Sequence, residues 1–324
     1  MTGRATVVVT RRLPSVVEEE LSRDFDVKLN RDDRPLGAAG LQDALRTADA
    51  LLCTVTDKLT AEVLSAEPLR ARMLANFGVG YNHIDVNAAT SRGLAVSNTP
   101  DVLTEATADI AMTLLLMVSR RAGEGERHVR SGAWTGWRPT HMLGSQVSGK
   151  TLGLIGMGRI ARGVAQRAHR GFGMRILFHD PYPPSAPEAA AVGAEPRQSP
   201  EEVLEESDFV SLHCPATPET HHLMNRERLA RMRRSAYLIN TARGDVVDEA
   251  ALVDALADGT IAGAGLDVYE HEPQVAPELL SMENVVLLPH LGSATQETRV
   301  AMGQRAVENL RRFFSGAPLR DPVG

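Results

Sequence analysis

The sequence predicts an α/β protein built on two doubly wound parallel sheets. Three observations carry this. Short apolar runs alternate with helix-period segments from end to end, the pattern of parallel strands joined by crossover helices. The run "TLGLIGMGRIA" passes from a buried strand through a glycine turn into a helix. A length of 324 residues, 43% of them hydrophobic, suffices for two cores.

The first hundred residues hold five strand-like runs: "TVVVT", "DVKL", "ALLCT", "RMLANFG" and "LAVSNTP". They predict a smaller doubly wound sheet of the flavodoxin type. Pro100 marks a boundary, because the residue before a proline avoids helical backbone. Asp101 is then placed to cap a helix running to about Arg121. That helix, with "TADIAMTLLLMVSRR", is apolar on more than one stripe, so it is expected between domains or subunits. The Gly- and Trp-rich "GEGERHVRSGAWTGWRPTHMLG" is expected to form an extended arm. From residue 151 come six runs: "TLGLIG", "RILFHD", "FVSLHCP", "AYLIN", "GAGLDV" and "VVLLPH". Six parallel strands are what a dinucleotide-binding (Rossmann) sheet requires. The helix-like "QETRVAMGQRAVENLRRFF" most simply packs back on the first domain. The expected domains are therefore 1–100 with 291–324, split by an inserted domain at 101–290.

Composition narrows the function. A formal charge of -6 and a pI near 6.0 argue against nucleic acid or an acidic membrane as partner. No apolar stretch approaches the length of a membrane span. Cys53 and Cys214 have no CxxC spacing, which suits a reducing, cytoplasmic compartment. No metal is expected. Adjacent His221 and His222 point apart in most conformations, His83 and Asp85 alternate on a loop, and neither pair offers a three- or four-ligand set.

The glycine turn carries the cofactor expectation. Gly156, Gly158 and Ala161 form GxGxxA between a strand and a helix. Gly156 permits the tight turn and Gly158 lets backbone approach a pyrophosphate. The amides of Arg159 and Ile160 would face the phosphates at the helix N-terminus, and the Arg159 guanidinium would add a charge-assisted contact. Asp180 ends the next strand, where a carboxylate accepts from ribose hydroxyls. It would repel a 2′-phosphate by roughly 4 kcal/mol at 4 Å with an effective dielectric near 20. NAD(H) is therefore expected over NADP(H).

Three side chains near the end follow apolar runs: Arg243 in "INTARGDVVDEAAL", Glu272 in "GLDVYEHEP" and His290 in "VVLLPHLGSAT". A cation, a carboxylate and an imidazole at strand ends suit redox chemistry on a carbonyl. Arg243 presents a planar fork for a substrate carboxylate. His290 can exchange a proton with the carbonyl oxygen. Glu272 would pair with the imidazole, orient it and favour its protonated form.

In order and spacing, these segments together with "GLIGMGRIA" and "LPHLGSATQETR" resemble the D-isomer-specific 2-hydroxyacid dehydrogenase family, over essentially the whole chain. The resemblance implies a split substrate domain, a central NAD domain, a cleft between them and a homodimer. It implies that Arg243 binds substrate, Glu272 supports the histidine and His290 is the acid–base. It also implies that the backbone of Val79 and Gly80 in "ANFGVGYNHID" binds carboxylate. Thr107, Cys214, Thr241, Asp267, His290 and Gly292 would line the cofactor, with Asp267 accepting from the nicotinamide amide. The arm resembles the glyoxylate/hydroxypyruvate reductase branch, in which a tryptophan matching Trp137 reaches the partner's active site and limits substrate size. Many members of that branch use NADP(H) and carry a basic residue near the position of Asp180, from which this chain departs. The expected activity is NADH-dependent reduction of glyoxylate or hydroxypyruvate. The alternatives are a D-lactate or 3-phosphoglycerate type of D-2-hydroxyacid dehydrogenase, or a corepressor-like NADH-sensing binding protein.

Overall fold

The computed structural model describes residues 3–324. The chain divides into two compact units, one of residues up to Leu103 together with Ala294–Gly324, the other of Thr104–Ser293.

The first unit contains β1 (Thr6–Val9), β2 (Asp26–Leu29), β3 (Ala50–Thr54), β4 (Met73–Phe77) and β5 (Ala95–Ser97). The second contains β6 (Thr151–Ile155), β7 (Arg175–His179), β8 (Ala194–Pro196), β9 (Phe209–Leu212), β10 (Tyr237–Asn240), β11 (Gly263–Leu266) and β12 (Val285–Leu287). A last strand, β13 (Pro322–Val323), belongs to the first unit.

The first sheet has the order β13-β5-β4-β3-β1-β2. Its five main strands are parallel and follow the flavodoxin order; β13 pairs antiparallel with β5 at one edge. Strands β3 and β4 are buried at every residue, as helices on both faces of a parallel sheet demand. The edge strand β2 alternates exposed and half-buried residues. The helix Gln296–Ser315 packs on β4 and on the helix Ser15–Asp24 of this unit. Thr295 caps it by accepting from the amide of Thr298, and Gly316 closes it in left-handed backbone at φ 77°.

The second sheet has the order β12-β11-β10-β9-β6-β7-β8, all parallel. This is the six-stranded order expected of a dinucleotide-binding sheet with β12 added, so the sheet has seven strands where six were expected. The unread strand is β8, whose three residues "AEP" lie at an edge and carry no apolar run. The strand order reverses between β6 and β9, and the chain leaving each carries Gly156 and Cys214.

Two readings of the segment after Pro100 are corrected. Asp101 lies three residues before the first residue of the long helix, not next to it. It sits in left-handed backbone at φ 72°, and the helix begins at Thr104 and ends at Ser119. The arm is also shorter than expected: Ala122–Arg130 is a second helix, and irregular backbone starts only after it. The long helix owes its apolar faces to neighbours within its own unit. It packs on the helix Arg159–Phe172 and on β10 and β11. Small residues allow this. A Cβ placed on Gly265 would lie 2.9 Å from the Leu114 Cβ, and one on Gly163 would lie 3.2 Å from the Ala108 Cβ. A Gly265→Ala chain is therefore expected to unfold at lower urea concentration, by about 1–3 kcal/mol of overpacking. Gly163→Ala, with the looser contact, should cost less. Equal midpoints for Gly265→Ala and the parent would contradict this account of the interface.

Candidate active site

The strongest local order surrounds Asp267, at the carboxyl end of β11. Its side chain accepts from the amides of Leu291 (2.6 Å) and Gly292 (2.8 Å), and its carbonyl accepts from the His290 amide (2.9 Å). These bonds hold His290 in left-handed backbone at φ 55°, which a residue with a Cβ otherwise avoids. Burial raises the Asp267 pKa, and the Leu291 and Gly292 amides and His290 partly oppose it. Thr107 donates its hydroxyl to the Gly292 carbonyl at 3.1 Å and so secures the far side of the same turn.

The imidazole thus presented is 2.9 Å, Nδ1 to Oε2, from Glu272. The other carboxylate oxygen of Glu272 accepts from the Tyr269 amide at 3.2 Å. Burial works against the charged carboxylate. The hydrogen bond and charge of His290, the Tyr269 amide and the charge of Arg243 outweigh it, so the Glu272 pKa lies below its ordinary value. A carboxylate on Nδ1 leaves Nε2 as the ring atom for a reacting oxygen.

Arg243 follows β10. Asn240 frames its turn, donating through Nδ2 to the Arg243 carbonyl (2.8 Å) and accepting at Oδ1 from the Ala242 amide (3.0 Å). The guanidinium donates to the Ala242 carbonyl at 2.7 Å. Burial lowers its pKa, and the negative charges of Glu272 and Asp245 oppose this. The next residue sets how near the turn comes to Glu272. A Cβ on Gly244 would fall 1.9 Å from the backbone of Tyr269, so only glycine lets the two loops meet.

The glycine turn has the geometry expected of a cofactor cradle. Gly156 has φ 89°, and a Cβ there would meet the backbone of His213 and Cys214 at 2.8 Å. Above Gly158 the space is open, with nothing within 4 Å of a Cβ position. The helix Arg159–Phe172 starts directly after it and directs its first amides, Arg159 and Ile160 among them, at that space. Ala161 is fully buried at the helix–strand contact. Asp180 accepts from the Met157 amide at 2.7 Å and the Tyr182 amide at 2.8 Å, so the carboxylate is tied to the glycine turn. The hydroxyl of Thr241 is buried and has no hydrogen-bond partner among the described residues, as fits a group that meets a ligand. Cys214 is half-buried, and burial pushes its thiol up to about 11, which suits contact rather than nucleophilic chemistry.

In the first unit the loop after β4 is organised by two asparagines that the sequence reading missed. Asn76 donates to the carbonyls of Gly78 (3.1 Å) and Gly80 (3.0 Å), and Asn98 donates to that of Val79 (2.9 Å). In a trans peptide the next N–H points opposite to the carbonyl. Each carbonyl turned to an asparagine therefore leaves the following amide, that of Val79, Gly80 or Tyr81, pointing away from that asparagine. Trp137, in the irregular arm, is 80% exposed. One expectation about metal ligands is overturned: the rings of His221 and His222 stack on each other and share a corner with Glu270.

Residues 112–292 match the model of the D-isomer specific 2-hydroxyacid dehydrogenase NAD-binding domain. The chain belongs to the D-isomer-specific 2-hydroxyacid dehydrogenase family. Among its relatives in this family is a glyoxylate reductase of Korarchaeum cryptofilum, 48% identical over 313 residues, covering 96% of this chain and 93% of that protein. Another is the glyoxylate reductase of Thermococcus kodakarensis, 48% identical over 97% of this chain and 94% of that protein. A solved family structure is the NADPH-dependent glyoxylate/hydroxypyruvate reductase of Sinorhizobium meliloti with NADP and malonate. It is 38% identical with a TM-score of 0.88, over 99% of this chain and 97% of that one. The parallel sheet of the second unit is accordingly a family Rossmann sheet, and the chain is an oxidoreductase acting on CH–OH donors. Among the described residues no helix is long and apolar enough to cross a membrane.

The depressed pKa of Glu272 has a measurable consequence for stability. The charged carboxylate stabilises the fold above the ordinary value of 4.5, and that contribution is lost as pH falls through the lower folded-state value. Glu272→Gln lacks it. The gap in Tm between the parent and this variant should be open at about pH 6 and close on acidification below the carboxylate range. A gap that stays constant to acid pH would remove Glu272 from the ion pair.

Proposed function

We propose that the chain is an NAD(H)-dependent reductase of small 2-keto acids, turning glyoxylate into glycolate and hydroxypyruvate into D-glycerate. The observation that carries this is the 2.9 Å His290–Glu272 pair, held by the Asp267 turn beside the Arg243 loop. The identity to glyoxylate reductases over nearly the full chain supports the choice of substrate. The dinucleotide, when bound, supplies the hydride. His290 acts as the acid: in its protonated form it delivers a proton from Nε2 to the ketone oxygen as charge develops there, and Glu272 compensates the imidazolium. Arg243 binds the substrate carboxylate and stabilises the developing alkoxide. We further assign carboxylate binding to the amides of Val79 and Gly80. For the reverse oxidation His290 is neutral and takes the proton.

Gly156, Gly158, Arg159 and Ile160 would hold the pyrophosphate, and Asp180 the adenosine ribose. Thr107, Cys214, Thr241, Asp267 and Gly292 would border the nicotinamide half. NAD(H) is preferred on the chemistry of Asp180, although the Sinorhizobium relative is NADPH-dependent. The assembly we infer is a homodimer whose exposed Trp137 sits at the partner's substrate site and selects small acids. Free Cys53 and Cys214 suit a reducing cytoplasm.

Initial rates with NADH should be high for glyoxylate and hydroxypyruvate and low for bulky 2-keto acids. His290→Ala should lower kcat by about 10²–10⁴-fold, the contribution of a positioned acid. Failure of every 2-keto acid would overturn the reductase reading. NADPH rates should trail NADH rates, and Asp180→Ala should move the kcat/KM ratio toward NADPH by about tenfold or more. An unchanged ratio would assign cofactor choice to other residues.

A further inference from the structure

Away from the acid–base pair, the second unit gathers three metal-binding side chains. One ligand atom each from His221, His222 and Glu270 lie within 4.8 Å of one another. His222 Nε2 is 2.8 Å from Glu270 Oε1. The two imidazoles stack with centroids 4.0 Å apart and planes 24° from parallel. Consecutive residues rarely share a side; here His222 does so because its backbone is left-handed, at φ 48°.

That backbone is fixed on several sides. The His221 amide donates to the Thr217 carbonyl (3.0 Å) and the His222 amide to the Asp245 carbonyl (2.8 Å). The Thr220 hydroxyl donates to the Pro215 carbonyl at 2.6 Å, and the Met224 amide to the Val246 carbonyl at 3.0 Å. Glu270 is held from the other side. Its amide donates to the Glu249 carboxylate (3.2 Å), and its Oε2 accepts from the Glu249 amide (3.3 Å). These bonds order the backbone beneath all three potential ligands, and exposed His221 opens the cluster to solvent.

We propose that His221, His222 and Glu270 bind one divalent transition ion of the Zn²⁺, Co²⁺ or Ni²⁺ class, with water completing its coordination. Two imidazoles and one carboxylate suit these ions better than Mg²⁺ or Ca²⁺, which take oxygen ligands. Bonds of about 2.0–2.2 Å to each atom ask the His222–Glu270 pair to open by only a few tenths of an ångström. Exposed His221 has the rotamer freedom to turn its nitrogen toward the ion. Bound there, the ion staples the 217–224 turn to the loop that carries Glu272, and this holds whatever the substrate of the enzyme.

The test uses the full chain, freed of metal by a chelator and then titrated with ZnCl₂ by calorimetry and with CoCl₂ by visible absorption. One equivalent should bind, with Co²⁺ showing d–d bands of a nitrogen- and oxygen-ligated ion, and Zn²⁺ should raise Tm. His221→Ala should weaken binding at least about tenfold and abolish the Tm rise, while its metal-free turnover stays at the parental rate. Glu270→Gln should weaken binding similarly, and His290→Ala and His128→Ala should bind as the parent does. The proposal fails if no one-to-one binding occurs below about 1 mM. It fails equally if His221→Ala binds like the parent, or if His290→Ala is the variant that loses the ion.

Discussion

The geometry of the His290–Glu272 pair depends on one buried carboxylate. Asp267 takes two consecutive amides on its side chain and a third on its carbonyl, and so forces the chain after β12 into a turn that places His290 at φ 55°. Left-handed backbone at a residue with a Cβ costs roughly 1–2 kcal/mol. It persists because several bonds, including the Thr107 hydroxyl on Gly292, determine it together. The strain therefore buys direction: the imidazole meets Glu272 through Nδ1, and Nε2 is left for chemistry.

A second constraint is closeness of backbone. Gly244 lets the Arg243 turn lie against Tyr269 and Glu270, where a methyl group would sit 1.9 Å from main-chain atoms. Arg243 and Glu272 feel each other's charge as a result, and the burial of both makes that attraction stronger than it would be in water. The same logic operates in the core. Gly265 on β11 and Gly163 on its helix let the helix Thr104–Ser119 settle close to the sheet, and Thr107 near that helix's start reaches Gly292. A packing choice in the core thus fixes a hydrogen bond at the site.

The asparagines show how polar side chains shape loops. Asn76 and Asn98 bind three successive carbonyls of the 78–80 loop, and Asn240 frames the Arg243 turn. Each pays its own burial by making bonds through the amide group. None carries a charge or a reactive atom, so none stands out in a sequence; an asparagine at the end of an apolar strand is the only sign it leaves.

The sequence by itself determined the alternation of strands and helices, hence the two parallel sheets, because period and apolarity are local properties. It also marked the glycine turn and the residues Arg243, Glu272 and His290, since each follows a buried strand and parallel strands deliver their carboxyl ends to one edge. Tertiary structure decided the rest. The edge strands β8 and β13 exist through pairing with a neighbour, having too few apolar residues to announce themselves. The segment "GEGERHVR" became a helix rather than an arm, and Asp101 took left-handed backbone ahead of a helix that starts at Thr104. His221 and His222 found Glu270 across 48 positions because one left-handed residue reversed a side chain's direction. Side-chain direction follows from backbone angles set by distant hydrogen bonds, and those are not written in any local pattern.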